Sequence, residues 1–200
     1  MQDHLLVNFG GFRRTYDRKD YVAAPPSKTM LEVIKENNLD VCAVGKIENI
    51  FSGVGITDAV HTEGNEDGIN RTLEYIKQDT KGLIFVNLVD FDMLYGHRRN
   101  PEGYRDALEY FDKRLLEIYN TMKDTDMLII TADHGNDPTY TGTDHTREYI
   151  PVLVYGKQIK QNVNLGTRNT FSDISATILD ILNLPKLENG ISFKNEIILQ

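Results

Sequence analysis

The stretch GLIFVNLVDFDMLYGHRRN, residues 82–100, decides the fold. Its first eight residues, GLIFVNLV, form an apolar, β-branched run of strand length. A run that is apolar throughout, rather than alternating, belongs to a strand buried on both faces, as in a parallel sheet covered by helices. The remainder turns polar within one residue and carries Asp90, Asp92, His97, Arg98 and Arg99. In open α/β sheets, ligands gather outside the carboxyl ends of the strands. The second half of the stretch therefore falls where a site is expected.

The chain on either side alternates in the same way. Before it, residues 67–79 (DGINRTLEYIKQD) predict a helix with Ile69, Leu73 and Ile76 on one face. Residues 39–45 (LDVCAVG) predict a buried strand, and 28–38 a helix ahead of it. After it, residues 101–123 predict a long helix capped by Asn100, with Pro101 in its first turn. Tyr104, Leu108, Phe111, Leu115, Ile118 and Met122 give that helix one apolar face. Residues 126–132 (DMLIITA) and 149–156 (YIPVLVYG) predict two further strands, and 171–182 a closing helix. The expected fold class is α/β, a mostly parallel sheet flanked by helices. The Pro-Pro of AAPP, residues 23–26, disfavours helix and marks a boundary. Residues 1–24 and 25–200 are accordingly expected to be separate parts.

Composition sets the class. Of the 200 residues, 40% are apolar and 26% charged, enough to bury a core. The formal net charge of −8 argues against nucleic acid as a partner. Cys42 is the single cysteine, so an intrachain disulfide is excluded and a reducing compartment fits. The opening MQDHLLVNFGG lacks the basic and apolar regions of a signal peptide. No apolar run reaches membrane-spanning length. A cytoplasmic protein with no membrane partner is expected.

Three segments concentrate metal-binding residues. DFDMLYGHRRN follows one predicted strand, DHGND follows another, and GTDHTREY lies in a loop further on. Three of the five histidines, His97, His134 and His145, fall in these segments beside Asp90, Asp92, Asp133, Asp137 and Asp144. Imidazole with carboxylate suits zinc, manganese or iron. Any one pair alone reads more simply as surface polarity or a helix cap, and Arg98 and Arg99 alone read as solvated charge. The joint occurrence at strand ends favours a metal site.

NLVDFDMLYGHRRNPEGY (87–104) and LIITADHGNDPTYTGTDHTREYIPVLVYG (128–156) resemble the phosphopentomutase signature within the alkaline phosphatase superfamily. ADHG is shared across much of that superfamily, whereas VDFDMLYGHRR and GTDHTREYIPVLVY together point to this family within it. The similarity extends to VGKIENIFSGVGITD (44–58) and DISATILDIL (173–182). The resemblance implies an alkaline phosphatase-like core and an enzyme, an isomerase moving phosphate between C1 and C5 of ribose or deoxyribose. It implies two Mn2+ ions. Asp92, His97 and His145 match the ligands of one, and Asp133 and His134 match two ligands of the other. Asp90, Asn136 and Asp144 are expected to orient them.

Residues 1–24 resemble the tail of the family's cap domain, which implies Arg14 and Arg13 as phosphate contacts. Lys46 matches a lysine near the active site, with a strand-end lysine in solvent as the simpler alternative. No residue matches the nucleophilic threonine, and neither Thr15 nor Thr29 is assigned that role. The core is expected to be incomplete at its amino-terminal side and inactive alone, with a missing fragment or self-association as possible partners of its exposed sheet edge. The other readings are a related metal-dependent phosphatase, a cofactor-independent phosphoglycerate mutase, and a non-catalytic metal-binding remnant.

Overall fold

The computed structural model describes the backbone of residues 5–8 and 11–14 and the whole of residues 22–199. The chain divides into two compact units, Met1–Leu88 and Val89–Gln200.

The first unit contains the hairpin β1 (Leu5–Asn8) and β2 (Gly11–Arg14), paired antiparallel. Its core is a three-stranded sheet. The strand β3 (Asp40–Val44) lies between β4 (Asp58–Val60) and β5 (Gly82–Val86), parallel to both. Val41, Cys42, Ala43 and Val44 are all buried, as a central strand covered on both faces must be. The helices α1 (Met30–Glu36) and α3 (Asn65–Lys77) cover the sheet, and the short α2 (Ile47–Ile50) follows β3. On α3, Ile69 and Leu73 are buried and Ile76 half-buried, in line with the sequence period. Tyr75 joins Cys42 and Val44 in the core, against Val60, Ile84 and Val86. Thr29 begins α1 as a capping box. Its Oγ1 accepts from Glu32 N at 3.4 Å, and its own N–H donates to Glu32 Oε2 at 2.8 Å. That role is structural and accords with not reading Thr29 as a nucleophile. Thr15 lies outside the described residues.

The second unit opens with a π-helical turn at Phe91–Gly96 and continues into α4 (Pro101–Thr121). Asn100 caps α4 by accepting from Gly103 N at 3.0 Å. The strands β6 (Leu128–Thr131) and β7 (Val152–Tyr155) pair antiparallel, with Leu128 opposite Tyr155 and Thr131 opposite Val152. Behind them α5 (Ser172–Ile181) and α6 (Lys194–Ile197) enclose a cluster of Ile159, Phe193 and Ile197. The apolar face expected on α4 is only partly covered: Ile118 is buried, but Leu108 is 49% exposed. The fold class is that read from the sequence, a parallel sheet flanked by helices, and the described residues add two antiparallel pairs, β1–β2 in the first unit and β6–β7 in the second. No helix among the described residues is long and apolar enough to cross a membrane.

Candidate metal centre

The π-helical turn does the first positioning. Asp92 enters it and His97 closes it, with His97 N–H donating to Asp92 O at 3.0 Å. Both side chains therefore leave one tight loop on the same side. The second segment, 133–137, and the third, 142–148, are joined by an antiparallel bridge between Gly135 and Thr146. Thr146 N donates to Gly135 O at 3.1 Å, and Asp137 N donates to Thr146 Oγ1 at 2.8 Å. A Cβ on Gly135 would lie 2.6–2.7 Å from Glu148 and from the Thr146 carbonyl, so the bridge requires glycine there. The bridge brings His134 and His145 together, their rings stacked with centroids 3.7 Å apart.

Three donors converge. His97 Nε2 and His145 Nε2 each lie 3.3 Å from Asp92 Oδ1, and 3.1 Å from one another. Donors held about 2.0–2.2 Å from one ion stand roughly 2.8–3.6 Å apart in tetrahedral or octahedral geometry. The observed triangle fits that range on every edge. The tautomer agrees as well: His97 Nδ1 faces the Thr143 carbonyl at 2.5 Å, so it carries the proton and leaves Nε2 a lone pair toward the cluster. With two imidazoles and one carboxylate, the set fits a divalent transition ion.

Of the residues singled out in the sequence, Asp92, His97 and His145 form this cluster. His134 reaches it only through its ring, while its Nδ1 faces Gly135 O at 3.1 Å. Asp133 is 67% exposed in its side chain, its Oδ1 3.7 Å from His134 Nε2. Among the described residues these two join no group of three donors. Asn136 is buried and donates through Nδ2 to Asp92 Oδ1 at 2.6 Å, as an orienting residue should. Asp90 is buried beside the turn, and Asp144 is exposed. Lys46, in the first unit, is half-buried where β3 passes into α2. The side chains of Arg13 and Arg14 lie outside the described residues.

One residue of the site had no role assigned from the sequence. Arg99 is not solvated charge. Its Nε donates to Gly142 O at 2.5 Å, and its Nη1 to Gly96 O, Asn136 Oδ1 and Asp137 O at 3.1, 2.9 and 2.7 Å. Its Nη2 donates to Asp144 O at 2.6 Å. Four of these acceptors are main-chain carbonyls, which leave no mark in the sequence. Electrostatic effects are felt nearby. Burial, and then the Asp92 carboxylate, push the Tyr104 phenol up. Hydrogen bonds from the Thr139 hydroxyl and N–H hold the Asp137 carboxyl below its usual range, with Arg99 adding to the effect.

Comparison with known proteins agrees with the donor set. The sequence profile of the Metalloenzyme superfamily matches residues 25–186, and the chain belongs to that superfamily. Within it, the similar curated proteins are named phosphopentomutase. That of Clostridioides difficile is 61% identical over 188 residues, covering 94% of this chain and 48% of its own length. That of Alkaliphilus oremlandii is 59% identical over 194 residues, covering 97% and 50%. That of Kosmotoga olearia is 56% identical, again over 97% and 50%. The resemblance read from the motifs is thus borne out along nearly the whole chain. The chain spans about half the length of the curated relatives it matches.

Proposed function

We propose that this chain supplies the metal-holding part of a phosphopentomutase, an isomerase interconverting (deoxy)ribose 1-phosphate and (deoxy)ribose 5-phosphate. The observation that carries the reading is the triangle of Asp92, His97 and His145. Identity of 56–61% to proteins named phosphopentomutase supports this activity over a phosphatase or phosphoglycerate mutase. Asp92, His97 and His145 hold one divalent ion, taken to be Mn2+, and Asp133 and His134 contribute to a second. Bound ions of this kind lower the pKa of a nucleophilic hydroxyl and offset charge on phosphoryl oxygens.

The chain's own residues do the rest. The Thr143 carbonyl keeps the His97 proton on Nδ1, and Asn136 holds the Asp92 carboxylate in its pose. Arg13, Arg14 and Lys46 are the proposed contacts to substrate phosphate, arginine being suited to it by its bidentate fork. Residues 1–24 are proposed as the tail of a cap over the core formed by 25–200. The phosphoryl-accepting threonine is assigned to the part of a full-length relative that this chain does not cover. A cytoplasmic location belongs to the same reading.

Titrating the purified chain with Mn2+ tests it. One tightly bound ion, lost in His97→Ala and in His145→Ala, is expected. No specific uptake would leave a family member without a working metal centre. The chain by itself is expected to show no mutase turnover above a His134→Ala control.

A further inference from the structure

Of the three segments that carry the donors, the π-helical turn is anchored by buried Met93, but the last has no such anchor. Residues 141–145, which bring in His145, are all exposed. A loop with so little buried surface is held by its hydrogen bonds or not at all. Those bonds converge on Arg99. Gly96 precedes His97. Asn136 touches Asp92. Gly142 and Asp144 bracket Thr143, whose carbonyl sets the His97 tautomer, and Asp144 precedes His145. One guanidinium therefore reaches every segment of the donor triangle. Its backbone is left-handed, with φ of 51°, a conformation that persists in a non-glycine residue only where the surroundings enforce it.

Charge makes the placement telling. A fixed cation beside a dication site opposes metal binding, so affinity alone would favour a neutral residue there. We propose that Arg99 is a positioning residue that assembles the Asp92–His97–His145 triangle before any ion arrives. The proposal rests on reading that triangle as a metal site. It uses the rigid fork of arginine, which lysine cannot reproduce at several diverging carbonyls.

The test compares Mn2+ affinity by calorimetry in the parent chain, Arg99→Lys, Arg99→Ala and Arg98→Ala. Arg98 is the neighbouring exposed cation. Positioning predicts that both Arg99 variants weaken Mn2+ by about 10–100-fold, the usual effect of losing a partner behind the ligands. Arg98→Ala keeps or slightly improves the affinity. Parental affinity in Arg99→Lys, or tighter binding in Arg99→Ala, overturns the proposal while leaving the metal centre intact. A parent chain that takes up no Mn2+ overturns both. A second measurement needs no variant to fold. In the metal-free parent, the Arg99 Nε–H resonance should be protected from solvent exchange, and exchange as fast as in a free guanidinium overturns the proposal.

Discussion

Asn136 donates its side-chain amide to Asp92 Oδ1 at 2.6 Å, joining two segments forty-four residues apart. The same side chain accepts from Arg99 at 2.9 Å, so its orientation is fixed at both ends. Asp92 Oδ1 keeps a second lone pair, which faces His97 and His145. Asn136→Ala removes the donor and frees the carboxylate to rotate. Mn2+ affinity should fall about 10–100-fold. Calorimetric titration checks this, and an unchanged affinity would show that Asp92 is held by other means.

Gly96 is where the π-helical turn passes this amide. A Cβ there would lie 2.5 Å from both Cγ and Nδ2 of Asn136, on a buried and doubly bonded side chain that has little room to yield. Gly96→Ala should destabilise the second unit by about 1–3 kcal/mol, the usual cost of overpacking. It should also weaken Mn2+ uptake, because Asn136 cannot keep its bond to Asp92 while moving away. Denaturant unfolding with and without Mn2+ measures both, and loss of stability with metal affinity kept would separate the two roles.

The parts of this fold that were legible in the sequence are those written in periodicity. The strand β3 is apolar from Val41 to Val44 because both its faces are covered, β5 is an apolar run whose Leu83–Val86 are half-buried, and Ile69 and Leu73 recur at helical spacing on α3. The short elements α2, β4 and α6 were not legible, since three or four residues are too few to show a period. The direction of β7 was equally hidden. An apolar run marks a strand, but its sense depends on the connection, and β7 returns antiparallel to β6. Exposure along β7 alternates, Val152 and Val154 more covered than Leu153 and Tyr155, as suits a one-sided strand. The donors of the triangle, Asp92, His97 and His145, could be singled out because few residue types bind metal. Arg99 was not, because a main-chain carbonyl is present at every position.

Tyr75 gives the first unit a dependence on alkaline pH. Burial first, and then the hydrogen bond from its hydroxyl to Asp58 Oδ2 at 2.9 Å, push the phenol well above its ordinary value. An unfolded tyrosine titrates near pH ~10. The folded state thus holds its proton more tightly, and the contribution to stability is fully present below about pH 10 and lost as pH rises toward the folded value. Parent stability should therefore fall above about pH 10. Tyr75→Phe should be less stable at neutral pH by about 1 kcal/mol, for one hydrogen bond, and should show a shallower alkaline decline. Urea unfolding between about pH 8 and 11 tests the sign. An alkaline slope equal to the parent's would remove Tyr75 as its source.

Asp173 holds the far side of the second unit together and separates fold from site. Almost fully buried at the start of α5, it accepts from Arg168 Nε at 2.9 Å and from Ile191 N at 2.8 Å. Thr177 continues the network, donating to Asp173 O at 2.7 Å and accepting from Phe193 N at 3.0 Å. Asp173→Ala would strand the Arg168 charge and the Ile191 N–H, a loss of about 3 kcal/mol or more for a buried pair broken on one side. Arg168 also reaches Glu196 at 3.2 Å and stays partly exposed, which places the expected loss toward the lower end. Asp173→Asn keeps one acceptor and should lose less. Neither Arg168 nor Ile191 belongs to a ligand segment. Mn2+ affinity of the folded fraction should therefore stay at the parent value in both variants, even as their unfolding midpoints drop. A fall in that affinity as large as in Asn136→Ala would mean that the donor triangle depends on the α5 network, and not on its own hydrogen bonds alone.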